Sequence, residues 1–179
     1  NNLDVDMNTN LVDLNCSNNQ LTSLDVSNNL TLQYLDCSGN ALNNLDVILN
    51  TSLMNLSCSN NQLNSLDLTQ NIALTNLECS FNNLNDLNLT ANTDLESLSC
   101  ASNELNNLEL TNNSSLNMID CGFNNLSSID LSAQNVLTDL ICDNNQLTTL
   151  DMSSNNMLRQ INCGFNNLGS LDLSNQQDL

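Results

Sequence analysis

Leu11-Val12-Asp13-Leu14-Asn15-Cys16-Ser17-Asn18-Asn19-Gln20-Leu21-Thr22-Ser23-Leu24-Asp25-Val26-Ser27-Asn28-Asn29-Leu30-Thr31 is the stretch that decides the fold. Counted from Leu11, apolar residues stand at positions 1, 4, 6, 11, 14 and 16. The same template restarts at Leu32, Leu53, Leu74, Leu95, Leu116, Leu137 and Leu158, giving eight units of 21 residues without an insertion or deletion. A fixed short period is the mark of a solenoid, in which each turn buries its apolar face only against the next. Residues 1–10 carry the second half of an earlier turn, residues 11–178 the eight turns, and Leu179 the first position of another. The pattern overruns both ends, which predicts a longer parent protein.

Positions 4 and 6 alternate with polar neighbours, and so do positions 14 and 16. That two-residue period predicts two short extended segments per turn and no helix of useful length. The two halves of the template resemble each other, so the repeat is nested. Two extended flanks prefer the same axial spacing. The expectation is a weakly curved rod about 40 Å long, with a parallel strand ladder on at least one side.

Composition narrows the function classes. There are 20 acidic residues against a single basic one, Arg159, for a formal charge of −19. Such a surface repels phosphate backbones and anionic lipid, leaving cations and basic proteins as the attracted partners. The charge also serves solubility. No apolar run approaches the ~20 residues of a membrane span. Without His or Lys there is no base to activate a nucleophile, and the carboxylates are spread along a rod instead of converging. Enzyme activity is not expected.

Position 6 is Cys in every turn: Cys16, Cys37, Cys58, Cys79, Cys100, Cys121, Cys142 and Cys163. The column faces inward, in-register side chains suit the disulfide torsion poorly, and the spacing is not that of a zinc motif. Eight free thiols acting as small core residues are expected. Position 9 is invariably Asn (Asn19, Asn40, Asn61, Asn82, Asn103, Asn124, Asn145, Asn166), and position 19 is Asn except at Gln134 and Gln176. Amide side chains there should close each corner by bonding free backbone groups.

The motif from Leu11 to Asn29 resembles the leucine-rich repeat family, and more narrowly its 21-residue nested bacterial form of the Bacteroidetes type. The resemblance covers essentially the whole chain. It implies a secreted or cell-surface bacterial protein that binds a protein or glycan ligand, but it carries no particular binding residue across.

Variation between turns holds what functional signal there is. Phe81, Phe123 and Phe165 occupy position 8 in alternate turns, 42 residues apart. They are expected to pack the corner beneath their small neighbours; an exposed aromatic recognition track is the other reading. Position 15 is acidic in seven turns, at Asp25, Asp46, Asp67, Glu109, Asp130, Asp151 and Asp172, with Asn88 the exception. In register these carboxylates lie about 5 Å apart, so they must bond local donors or share cations. Ser or Thr at position 17 favours a hydrogen-bonded turn, with calcium binding as the alternative. The expected function is adhesion or ligand recognition by a non-enzymatic segment. A purely structural stalk is the runner-up, and calcium binding or ice binding are minor alternatives.

Overall fold

The computed structural model describes residues 1–179 as a parallel β-solenoid of eight turns without helix. Ten short strands occur in chain order: β1 (Asn2–Leu3), β2 (Asp13–Asn15), β3 (Ser23–Leu24), β4 (Tyr34–Asp36), β5 (Asn55–Ser57), β6 (Asn76–Glu78), β7 (Ser97–Ser99), β8 (Met118–Asp120), β9 (Asp139–Ile141) and β10 (Gln160–Asn162). Eight of them form one parallel sheet in the order β10-β9-β8-β7-β6-β5-β4-β2. Its register is strictly 21 residues, as in Leu14↔Leu35 and Leu77↔Leu98. A one-residue slip would turn the position-4 Leu and Ile residues out of the core, so the hydrophobic pattern guards the pairing.

The second flank is extended but is paired as strands only once, between β1 and β3. Its carbonyls are used elsewhere. The position-16 carbonyl accepts the N–H of position 19 in its own turn, as Asn29 N–H bonds Val26 at 3.0 Å. It also accepts the side-chain amide of position 19 in the following turn, as Asn50 bonds Val26 at 3.0 Å. A carbonyl committed twice has no place in a ladder.

Leucines and a few Val, Ile and Met residues at positions 1, 4, 11, 14 and 16 merge with the cysteine column of position 6 into one core cluster of 41 buried residues. Seven cysteines are buried, Cys163 in the last turn is intermediate, and all eight are free. Burial pushes Cys37 and Cys142 up to about 12. It pushes Cys58, Cys79, Cys100 and Cys121 well above the ordinary thiol value too. These thiols stay protonated, which removes them as nucleophiles.

Amide side chains tie the turns together at two corners. In each turn after the first, the position-9 amide nitrogen donates to the position-6 carbonyl of its own turn and of the turn before. For Asn103 these are Cys100 at 3.1 Å and Cys79 at 3.0 Å, and its Oδ1 accepts the Leu84 N–H at 3.0 Å. At position 19 the amides bond the position-16 and position-19 carbonyls of the turn before, as Asn92 does with Leu68 and Asn71. Gln134 and Gln176 make the same pair of bonds. The oxygen of each of these eight buried amides is left without a hydrogen-bond partner. One unpaired acceptor per turn is set against second hydrogen bonds to two carbonyls, each of which also accepts a backbone N–H, as Leu68 does from Asn71 and Asn71 from Leu74.

A second regularity sits beside the first corner. Every residue at position 8 is left-handed, with φ of 55° at Asn18, 63° at Gly39, 56° at Asn60 and Phe81, 54° at Ser102, 53° at Phe123 and Asn144, and 51° at Phe165. Asn and Gly tolerate that region, whereas other side chains cost roughly 1–2 kcal/mol there.

Candidate functional site: the exposed strand face

Strand residues alternate between core and solvent. Position 4 goes in, and positions 3 and 5 project outward as two parallel columns of eight side chains. Across the first four turns, position 3 reads Asp13, Tyr34, Asn55, Asn76 and position 5 reads Asn15, Asp36, Ser57, Glu78. These eight side chains line a shallow depression on the sheet. Tyr34 is the chain's only tyrosine, and the residue stands 42% exposed in that depression. Around it lie three carboxylates (Asp13, Asp36 and Glu78) and no basic residue. Asp36 Oδ1 accepts the Ser38 N–H at 3.0 Å and its hydroxyl at 2.6 Å, and Ser57 donates to Glu78 at 3.0 Å. An aromatic ring sharing a depression with three carboxylates, two of them held by hydroxyl bonds, offers a guanidinium or ammonium both a charge and a π-surface.

The acids of position 15 occupy the other flank. Asp25, Asp46, Asp67, Asp130, Asp151 and Asp172 each accept, through Oδ1, the N–H two residues on, at 2.9–3.0 Å. Glu109 does the same for Thr111 at 3.2 Å. The Thr69 hydroxyl adds a bond to Asp67 at 2.7 Å. Bonds from the position-17 N–H and hydroxyl hold Asp25, Asp67, Asp130, Asp151 and Asp172 below the usual carboxylate value. Asn88 accepts the Thr90 N–H at 3.1 Å and hydroxyl at 2.7 Å, so the turn needs an oxygen acceptor and not a charge. No group of three or more His, Cys, Asp or Glu side chains comes together. The position-15 carboxylates stand one to a turn, each bonded within its own turn.

The corner phenylalanines correct the sequence reading. Phe81, Phe123 and Phe165 were expected beneath their neighbours, but they stand 57%, 56% and 84% exposed, outside the core. The left-handed backbone at position 8 decides their direction, and ring hydrophobicity does not override it. The Tyr34 depression was missed for a different reason. Its acids are split between two columns and three turns, so no contiguous motif announces it; the available signal was Asp13 and Asp36 one turn and two residues from the sole tyrosine.

No protein-family model matches the chain, and no curated protein matches it in sequence. Among solved structures, it is similar to the functional domain of InlJ from Listeria monocytogenes, which includes a cysteine ladder. That pair shares 38% identity at a TM-score of 0.99, over 99% of this chain and 40% of that one. It is also similar to YopM from Yersinia enterocolitica, with 33% identity, a TM-score of 0.78, and coverage of 88% and 34%. The leucine-rich repeat protein LIC12759 from Leptospira interrogans shares the fold at a TM-score of 0.85, with 24% identity and coverage of 90% and 45%. The chain thus spans less than half the length of each of these proteins. Its architecture is that of the leucine-rich repeat proteins, in a form with 21-residue turns.

Proposed function

We propose that the chain is a non-enzymatic recognition segment that binds a basic stretch of a partner protein on its strand face. The observation that carries this reading is Tyr34 exposed among Asp13, Asp36 and Glu78. Cation–π contact is worth about 0.5–1 kcal/mol at exposed sites, and the surrounding charge of −19 steers cationic partners inward. Protonated thiols, the lack of His and Lys, and the absence of converging acids support a binding role over a catalytic one.

The wider setting belongs to the same proposal. A secreted or surface-displayed bacterial protein used in adhesion fits the likeness to InlJ and YopM, both from bacteria. The Bacteroidetes-type form rests on the sequence motif alone. A bare stalk would carry no localised aromatic-acidic patch, so the Tyr34 depression favours recognition.

With one Tyr and no Trp in the chain, intrinsic fluorescence reports on Tyr34 alone. Titration with an arginine-rich peptide at low salt is expected to change this emission saturably. The combined Asp13→Asn, Asp36→Asn, Glu78→Gln variant should bind at least about tenfold more weakly, a loss of roughly 1.4 kcal/mol. An Asp130→Asn, Asp151→Asn variant on the other flank should bind as the parent does. No saturable change, or equal weakening by both variants, would overturn the reading.

A further inference from the structure

We infer that the corner bearing Phe81, Phe123 and Phe165 is a second, independent binding surface: a track on which alternate sugar rings of an extended, uncharged β-linked glycan stack. Three observations converge on it. The first is conformational. These phenylalanines hold left-handed backbone angles of 56°, 53° and 51°, at a position where Asn18, Gly39, Asn60 and Asn144 meet the same demand with residues suited to it and Ser102 meets it with a small one. The second is exposure. Phe81 and Phe123, with turns stacked on both sides, are still 57% and 56% exposed and stay outside the core cluster, as does Phe165 in the last turn, so core packing does not offset the backbone angle. Strain retained at an exposed aromatic side chain points to use.

The third observation is spacing. Turns stack in 21-residue register, so rings 42 residues apart are two strand spacings apart, about 10 Å. Two pyranose units of an extended β-1,4-linked chain advance by nearly the same length. Every second sugar therefore meets a ring. Between rings the same corner presents Ser102 and Asn144. The Asn144 amide nitrogen is held by Asp143 at 2.6 Å, which leaves its oxygen to accept from a sugar hydroxyl. Aromatic faces for the apolar C–H side of a sugar, alternating with hydroxyl and amide groups for its edge, suit a polymer with a disaccharide repeat. Charge selects within that class: a chain at −19 repels anionic polysaccharides and admits neutral ones.

Only three phenylalanines are present, so their ring resonances can be followed individually. Cellohexaose and chitohexaose are the probes. Saturable shifts of all three ring systems are expected with at least one of them. Each single Phe→Asn change should weaken binding by about tenfold. The combined Phe81→Asn, Phe123→Asn, Phe165→Asn variant should show no saturable binding and should melt no lower than the parent, because Asn accepts the left-handed angle. The Tyr34-face variant should bind whichever sugar the parent binds with unchanged affinity, which separates this claim from the strand-face reading. The inference is overturned if neither sugar shifts the rings, if the triple variant still binds, or if that variant melts lower. It is overturned in favour of a protein partner if an apolar peptide shifts the rings where the sugars do not.

Discussion

Asn103 shows how much of a turn can hang on one amide. Its nitrogen donates to Cys79, Cys100 and Ala101, and its oxygen accepts from Leu84, joining two successive turns through one side chain. Asn103→Asp keeps the shape but loses the donor and sets a charge against three carbonyls. It is expected to lower unfolding stability by about 3 kcal/mol, since buried partners left unpaired cost roughly 1–3 kcal/mol each. Urea denaturation measures this, with Asn135→Ala at an exposed position as a near-neutral reference. Asp120 is the opposite case. Desolvation is the main reason its carboxyl is raised, and the nearby Asp143 charge adds to it, against the lowering Gly122 N–H bond. A raised folded value means that the ionised carboxylate opposes folding at neutral pH. The penalty is relieved as pH falls through the folded value toward the unfolded one, about 3.9. Asp120→Asn keeps an acceptor, as Asn162 does for the Gly164 N–H at 3.3 Å. Thermal melts should therefore show the variant above the parent at pH 7, with the gap closing near pH 4. For Asp67 and Asp130, whose folded values are lowered, the sign reverses: their contribution is full at neutral pH and is lost on acidification.

At the scale of the element, the inward columns were readable because they depend on side-chain hydrophobicity alone. Leu35, Leu56 and Leu77 are buried where a two-residue period puts them. The flank from position 12 to 17 was less readable. Its alternation predicts an extended chain, and it is extended, but the pattern does not reveal that position-16 carbonyls are taken by amides. Position 8 shows the same limit. Asn18, Gly39, Asn60 and Asn144 together signal a left-handed residue, yet Phe81 among them reads as apolar and therefore as core. Where backbone conformation and side-chain polarity disagree, conformation set the direction of the ring. The cysteine column offers an element-level test. When this 179-residue chain is tested by itself, iodoacetamide should label Cys163 first, because no full turn stacks on its side of the last repeat. The other seven should react only after unfolding, consistent with burial that raises Cys37 and Cys142 to about 12. Rapid native labelling of Cys79 or Cys100, both 0% exposed, would contradict a closed core.

Across the whole molecule, acids are sorted by flank. The position-15 column is the more conspicuous one in sequence, with seven carboxylates, yet each is engaged in its own turn. On the strand face the acids are sparse, but Asp13, Asp36 and Glu78 meet around one exposed ring. Counting charges along the chain favours the first flank; geometry favours the second. The candidate site was legible only in its ingredients, because its members come from four turns and two columns. Mapping where a cationic partner lands tests this assignment most directly. With the chain labelled with nitrogen-15, an arginine-rich peptide should shift backbone resonances of Asp13–Asn15, Tyr34–Asp36, Asn55–Ser57 and Asn76–Glu78. Shifts centred instead on Asp130, Asp151 and Asp172, or spread evenly over every turn, would contradict it.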